Sequence, residues 1–168
     1  MTEDLRVRRG ELGDAGAVAS IYNEGIRGRG ATFETRERTA DDVRPWFGRE
    51  RHPLLVAESG GRVVGWVSAS EYRPRDCYAG IAEFSVYVAA GARGRGVGDA
   101  LMRAFIPALQ AAGFWKVLSR IFPENTASLA LCARHSFREV GRYVRHGKLD
   151  GAWRDVVIVE RLLGEAAE

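Results

Sequence analysis

The turn at residues 91–98, within the stretch VYVAAGARGRGVGDALMRAF, holds four glycines and two arginines in eight residues. An apolar run typical of a strand precedes it, and apolar spacing typical of a helix follows. Glycine lets a ligand approach the main chain, and a helix N-terminus offers unpaired N–H groups and the positive end of the helix dipole. The turn therefore predicts a phosphate or pyrophosphate site, with a plain tight turn between two elements as the alternative.

Two common phosphate loops do not match this turn. A Walker A loop ends in Gly-Lys-Ser/Thr, which is absent, and a dinucleotide fingerprint needs glycine where Asp99 stands. What remains is the pattern Arg93-x-x-Gly96-x-Gly98 directly after a Val-Tyr-Val strand. From spacing alone, the prediction stops at a protein that binds a phosphorylated ligand.

A second anion site is predicted at the segment YRPRDCY, where Arg73 and Arg75 flank Pro74. Arginines two apart face the same way on a strand, or converge around a proline. A guanidinium pair binds a carboxylate, phosphinate or arsinate in bidentate fashion. A solvated loop is the alternative for either arginine alone.

The elements that must position these groups alternate between strands and helices. The predicted order is strand, two helices, three strands, helix, strand, helix and two strands, which is an α/β or α+β sheet with helices on its faces. Asp14 is expected to cap the first helix, and Pro107 to bend the helix at 98–112. The tail at residues 164–168 is expected to fray.

The chain has 168 residues, 46% hydrophobic and 28% charged, which predicts one domain over 1–168 with a core at about 5–163. The net charge of +3 is scattered, so nucleic acid is not an expected partner. With no apolar run of membrane length and no signal peptide, we expect a cytoplasmic protein with no membrane partner. Cys77 and Cys132 fit no metal spacing, so no metal is expected.

The Arg93-x-x-Gly96-x-Gly98 loop resembles the acyl-CoA pyrophosphate loop of the GCN5-related N-acetyltransferases (GNAT), Gln/Arg-x-x-Gly-x-Gly/Ala. The segments IYNEGIRGRGATFETRERT, YRPRDCY, AEFSVYV and FPENTASLALCARHSF resemble the phosphinothricin and methionine sulfoximine acetyltransferase branch. The ending RYVRHGKLDGAWRDVVIVERLL is most similar to its arsinothricin-resistance members, so the resemblance spans residues 6–163. It implies a GNAT fold: a mixed sheet of about seven strands, helices on both faces and a splayed central strand pair.

The resemblance also implies acetyl-CoA as cosubstrate. The strand before the loop would pair with the pantetheine arm, and an N–H of that strand, from Val86 or Tyr87, would stabilise the oxyanion. For Asn125 an N-cap role is an alternative or additional reading, and for Arg134 a solvated surface position is the alternative. The implied cofactor-binding residues are Val86, Tyr87, Val88, Arg93, Gly94, Arg95, Gly96, Val97, Gly98, Asp99, Asn125 and Arg134.

For catalysis, Glu83 matches the branch's general base. Its apolar neighbours favour desolvation, which raises the pKa of a carboxyl group, although a strand glutamate facing solvent is the alternative. Seven residues after Asn125 the superfamily has Tyr and the phosphinothricin enzymes have His, whereas this chain has Cys132. A thiol can serve as an acid, but a small inert core cysteine is the alternative. His135 is expected at the surface.

The implied reaction is acetyl transfer to the α-amine of a small amino-acid substrate such as phosphinothricin, methionine sulfoximine or arsinothricin, by a homodimer. The alternatives are a protein or ribosomal N-terminal acetyltransferase and a non-catalytic CoA-binding module. Ordinary core is the alternative for Phe33. The implied substrate-binding residues are Phe33, Arg73, Arg75, Tyr78, Glu83, Phe84 and Ser85.

Overall fold

The computed structural model describes residues 4–168. The strands are β1 (Arg6–Arg9), β2 (Leu54–Ser59), β3 (Arg62–Glu71), β4 (Ile81–Val88), β5 (Lys116–Ile121), β6 (Arg138–Leu149) and β7 (Ala152–Leu162). The α-helices are α1 (Ala15–Gly28), α2 (Ala40–Val43), α3 (Val97–Ala111) and α4 (Thr126–Arg134). Short 3-10 turns lie at Leu12–Asp14, Arg44–Trp46, Asp76–Tyr78, Ala90–Ala92 and Gly164–Ala167.

The strands form one mixed sheet in the order β1-β2-β3-β4-β5-β7-β6. Neighbouring strands are antiparallel except β4 and β5, which run parallel. Within residues 4–168, β4 pairs with β5 only from Ile81 to Glu83, although β4 continues to Val88. The two central strands therefore separate after Glu83, as the resemblance implied, and the predicted fold class is confirmed.

Two apolar layers hold the helices against the sheet. On one face, Leu101, Phe105 and Leu109 of α3 recur at helical spacing and are fully buried against the strands. On the other face, Val18 and Ile21 of α1 belong to a second cluster. Because side chains alternate across β4, that strand contributes to both layers and fixes the distance between them.

Tyr87 connects β4 to α1. Its ring stacks on Trp66 at 5.0 Å between centroids and meets Tyr22 edge-on at 5.0 Å. A Cβ placed on Gly25 of α1 would lie 2.6 Å from the Tyr87 ring. The absence of a side chain at Gly25 therefore lets the helix approach the splayed part of β4.

The predicted order of elements is confirmed, but two local predictions are wrong. The Asp14 side chain does not cap α1; it accepts hydrogen bonds from Arg8 and from the Glu11 N–H instead. The guanidinium of Arg8 out-competes the helix N–H groups, because an ionised donor makes a stronger hydrogen bond. The tail is not frayed throughout, since Gly164–Ala167 forms a 3-10 turn.

None of the helices in the described part of the chain combines the length and apolarity that a membrane crossing requires. The same residues, 4–168, contain no group of three His, Cys, Asp or Glu side chains placed to hold a metal ion.

Candidate active site

A cleft of about 690 Å³ opens where β4 and β5 separate. Its walls come from four places: the splayed end of β4, the glycine turn with the start of α3, one side of α4, and the C-terminal half of α1. The predicted cofactor-binding residues on its walls are Val86, Tyr87, Val88, Arg93, Gly94, Gly96, Val97, Gly98, Asp99, Asn125 and Arg134. Arg95 is exposed and does not line it.

The glycine turn has the backbone geometry that an anion site needs. Gly94 and Gly96 have φ angles of +73° and +82°, in the left-handed region that L side chains rarely adopt. Gly96 is the N-cap of α3, so the first-turn N–H groups of that helix follow it directly. A Cβ at Gly94 or Gly96 would meet no atom within 4 Å, so the main chain is open to a ligand. The turn fits a pyrophosphate.

The splayed end of β4 offers main-chain groups to the cleft. In an antiparallel pair, backbone groups alternate between facing the partner strand and facing away from it. β3 occupies one side of β4 up to Val88, while the other side has no strand partner after Glu83. An extended ligand arm can therefore hydrogen-bond to this strand, and the residues present fit the pantetheine arm of acetyl-CoA.

Asn125 has the N-cap role that was the alternative for it, and it lies at the cleft. Its Oδ1 accepts from the Ser128 N–H at 3.3 Å, so it caps α4, and it also borders the cleft. The cap fixes the rotamer of the amide, which orients its remaining polar atom.

Asp99, in the first turn of α3, is held by two side chains at the end of α4. Its carboxylate accepts from Arg134 at 3.2 Å and lies 2.9 Å from Nε2 of His135. The hydrogen bond from Arg134, with a smaller contribution from His135, lowers the pKa of Asp99. This neutralisation limits the repulsion between Asp99 and a phosphate at the same helix end. The expectation of a surface His135 is wrong, because its side chain is 12% exposed and faces Asp99.

A smaller cavity of about 50 Å³ continues from the cleft between β4 and β5. Phe84, Ser119 and Cys132 border it from the α3 side, while Ser85 and Arg120 border it from the opposite face of the sheet. Ser119 Oγ donates to the Phe84 carbonyl at 3.0 Å, so a side chain replaces one missing strand-to-strand bond. Residues from both faces of the sheet border this cavity, which we call the passage.

Glu83 borders neither cavity itself; it lies next to Phe84 of the passage wall, at the last position where β4 pairs with β5. Its carboxylate accepts from Arg120 Nη2 at 3.1 Å, and its side chain is 25% exposed. Burial raises the pKa of Glu83, whereas the charges of Arg120 and Arg73 act in the opposite direction. A half-buried carboxylate with a raised pKa beside an open passage can act as a general base.

Cys132 lies in the wall of the passage but is a poor acid. It is 1% exposed, and burial raises the pKa of its thiol to about 12. A thiol that weakly acidic transfers a proton less readily than an unperturbed one. The structure favours the alternative that Cys132 is a small packing residue.

The loop between β3 and β4 carries three of the predicted substrate-binding residues, Arg73, Arg75 and Tyr78. Arg73 lies over the ring of Tyr72 at 5.0 Å, and Tyr72 meets Tyr78 edge-on at 5.5 Å. Arg73 is near enough to affect the pKa of Glu83, while Arg75 is exposed in the same loop. The loop is a bend and a 3-10 turn, so the arginines do not share a strand face.

Of the remaining predicted substrate-binding residues, Phe84 and Ser85 border the passage, whereas Phe33 does not. Ser85 shares the face of Glu83, whereas Phe84 points into the α3 core, where it packs on Phe105. Phe33 meets Phe122 edge-on at 4.8 Å in a separate small cluster, so the ordinary-core alternative describes its packing.

Sequence reasoning missed several residues at this site. Glu24 of α1 accepts from the Ala90 N–H at 2.8 Å and joins the helix to the start of the glycine turn. Arg120 follows Leu118, the register partner of Glu83, by two residues. That strand period is the one signal that could have placed Arg120 beside Glu83, and it requires the register to be known.

Comparison with known proteins agrees with this geometry. The model of the acetyltransferase (GNAT) family matches residues 18–137. The chain belongs to the GNAT acetyltransferase family. GNAT acetyltransferases use acetyl-CoA, which the cleft and glycine turn fit. The non-catalytic module that the sequence left open has no support here, since the matched relatives are named as enzymes.

Two GNAT relatives and one solved structure are similar over nearly the whole chain. The phosphinothricin N-acetyltransferase of Streptomyces coelicolor is 34% identical, covering 96% of this chain and 98% of the relative. The L-methionine sulfoximine/L-methionine sulfone acetyltransferase of Pseudomonas aeruginosa is 29% identical, covering 92% of each. A phosphinothricin acetyltransferase from Sinorhizobium meliloti in complex with AcCoA aligns with a TM-score of 0.89 at 30% identity, over 98% of this chain and 90% of the other.

The left-handed backbone of Gly96 predicts a binding defect in Gly96→Ala. An L side chain costs about 1–2 kcal/mol in that conformation, so we expect the Kd for acetyl-CoA in isothermal titration calorimetry to rise roughly tenfold. Gly91→Ala is the matched control, since Gly91 lies in the same turn with open space around it and no positive φ. Equal Kd values for both variants and the parent would contradict this assignment of the turn.

Proposed function

We propose that this GNAT enzyme transfers an acetyl group from acetyl-CoA to the α-amine of a small glutamate-analogue amino acid, such as phosphinothricin, methionine sulfoximine or arsinothricin. The observation that carries the proposal is Glu83 at the point where β4 and β5 separate, hydrogen-bonded to Arg120 and close enough to Arg73 to feel its charge. A carboxylate beside arginines suits a substrate that brings an ammonium group and an anion together.

The proposed reaction uses the cleft for acetyl-CoA and Glu83, beside the cleft, for the amine of the substrate. Acetyl-CoA, when bound, supplies the acetyl group as a thioester. Glu83, directly or through a water, takes the proton of the acceptor ammonium, so that a neutral amine is available.

Of the two expected donors for the developing oxyanion, Val86 and Tyr87, the N–H of Val86 is the one on the open side of β4. The Phe84 carbonyl faces β5 and the Ala89 N–H faces β3, so by alternation the Tyr87 N–H faces β3. We assign no proton transfer to Cys132, because its thiol is too weakly acidic. The proton that the departing thiolate needs comes from water or from the substrate ammonium.

The names of the relatives support this substrate class. Proteins similar to this chain are named for phosphinothricin and for methionine sulfoximine. Arsinothricin is proposed as a substrate because the ending at residues 142–163 resembles the arsinothricin-resistance members of the branch. Acetylation removes the ammonium charge of such an analogue, so it no longer resembles the amino acid that it mimics. Resistance to the analogue is the proposed consequence.

We also propose a homodimer that works in the cytoplasm. Two unpaired cysteines, one of them exposed, suit a reducing compartment. β6 is an edge strand on which Val140, Tyr143 and Val144 are exposed, and Trp153 of β7 is exposed beside them. Such an edge is covered in many proteins by association.

For the dimer, we expect light scattering after gel filtration to give twice the chain mass of 18.5 kDa. Val144→Asp should shift the mass toward the monomer, because it places a charge in the apolar edge. Leu12→Asp is the control, since Leu12 is similarly exposed at 64% but lies far from β6 in the sheet order. A monomeric parent at micromolar concentration would rule the dimer out.

For the base, we expect Glu83→Gln to lower kcat by about 100-fold or more, since general base catalysis typically contributes that much. In the parent, the active form is the carboxylate, so kcat/KM should fall as the pH drops through the raised pKa of Glu83. The acid limb of the profile of kcat/KM against pH should therefore lie at a higher pH than the pKa of an ordinary glutamate. Glu50→Gln, at an exposed position, is the control. Full kcat at neutral pH in Glu83→Gln would exclude Glu83 as the base.

For the substrate class, a thiol-release assay with acetyl-CoA should give turnover with the glutamate analogues and little with peptides. Arg73→Ala and Arg75→Ala should each raise the KM for phosphinothricin severalfold, because each removes a bidentate anion donor, while the Kd for acetyl-CoA stays constant. Activity on peptide N-termini but not on free amino acids would favour the N-terminal acetyltransferase. Unchanged KM values in both variants would refute the role of this loop.

A further inference from the structure

Arg120 is positioned beside the proposed base by strand register. Leu118 of β5 pairs with Glu83, so Arg120, two residues on, lies on the same face of the sheet. Its Nη2 donates to Glu83 Oε1 at 3.1 Å, and its side chain also borders the passage between β4 and β5. No other charged residue borders that passage within the described chain.

The Arg120–Glu83 pair is unlike the structural ion pair on the neighbouring strand. Glu160 accepts from Lys116 and Arg138, and its side chain is only 10% exposed. Arg120 is 46% exposed and Glu83 is 25% exposed. Because nearly half of the arginine side chain is exposed, the pair contributes little to stability, and stability alone does not account for this arginine at the passage.

The chemistry of an α-amino acid gives Arg120 a role. One carbon separates the amine from the α-carboxylate, so an amine held at Glu83 brings the carboxylate to the nearest cation. A guanidinium has five N–H donors in a fixed plane and can hold two carboxylates at once. Arg120 can therefore keep one contact to Glu83 and offer the remaining donors to the substrate.

We propose that Arg120 binds the α-carboxylate of the acceptor while Glu83 holds its amine, which leaves Arg73 and Arg75 for an anion on the side chain. This inference rests on the proposed amino-acid acceptor. It assigns the two ends of phosphinothricin to different arginines. It also makes Arg120 important for methionine sulfoximine, whose side chain carries no full negative charge.

The test compares an acceptor acid with its α-amide, which has the same side chain but no carboxylate. For Arg120→Ala we expect the KM for methionine sulfoximine to rise at least tenfold, with the KM for its α-amide changed less than about twofold. Calorimetric titration of the same two compounds into the protein should give the same contrast in Kd. The KM and Kd of Arg120→Lys for the acid should lie between those of the parent and Arg120→Ala, since an ammonium keeps the charge but loses the planar pair of N–H donors.

Two controls isolate the effect. Arg103→Ala removes one positive charge from an exposed position on α3 and should leave both acceptors unchanged. Circular dichroism and the Kd for acetyl-CoA should match the parent in every variant, which shows that the fold and the cofactor cleft are intact. Arg120→Lys keeps the test available if the alanine variant does not fold.

Equal losses for the acid and the amide in Arg120→Ala would overturn the inference, because Arg120 would then act only through Glu83. An equal rise in KM for the acid in Arg103→Ala would also overturn the inference, because the effect of Arg120→Ala would then come from net charge alone. Failure of the parent to acetylate any amino acid would refute the proposed function instead. In that case the calorimetric comparison of acid and amide still decides whether Arg120 binds a carboxylate.

Discussion

The separation of β4 from β5 after Glu83 is the constraint on which the site depends. A central strand normally satisfies its main-chain groups on both sides, and leaving them open costs free energy unless another group replaces the partner. Ser119 replaces part of that pairing through its bond to the Phe84 carbonyl. The other main-chain groups on that side of β4 stay available to a ligand. The cleft and the passage therefore both result from the end of strand pairing between β4 and β5.

This interruption also places the cleft next to the proposed base. The glycine turn, α4 and part of α1 surround the cleft, and Arg134 and His135 hold the Asp99 carboxylate near the anion site. Glu83 and Arg120 lie on the face of the sheet away from α3, and Arg73 in the loop between β3 and β4 is near enough to act on the pKa of Glu83. In the proposed reaction, acetyl-CoA and the amino acid therefore meet at the point where the strands part.

Local patterns predicted the parts of the site that depend on local backbone geometry. Gly94 and Gly96 do have left-handed φ angles, and the strand–turn–helix setting is as the pattern indicated. Arg120 and Glu24 could not be found this way, because each reaches the site through a partner 37 or 66 residues away. The prediction for Asp14 failed for a related reason: its competitor, Arg8, lies only 6 residues away but on β1, outside the helix that a capping rule considers. Register and packing decide such pairs, and neither is encoded in spacing.

The balance of charges at Glu83 connects the fold to the proposed reaction. Burial raises the pKa of its carboxyl group, and Arg120 is the larger of the two charges that lower it. The net result is a carboxylate more basic than that of an exposed glutamate. A substrate carboxylate that shares Arg120 would weaken the lowering contribution of that arginine, whereas the substrate ammonium held at Glu83 would itself lower the pKa of Glu83 until its proton is transferred. Under the proposal, the same arginine selects the substrate and influences the basicity of the residue that deprotonates it.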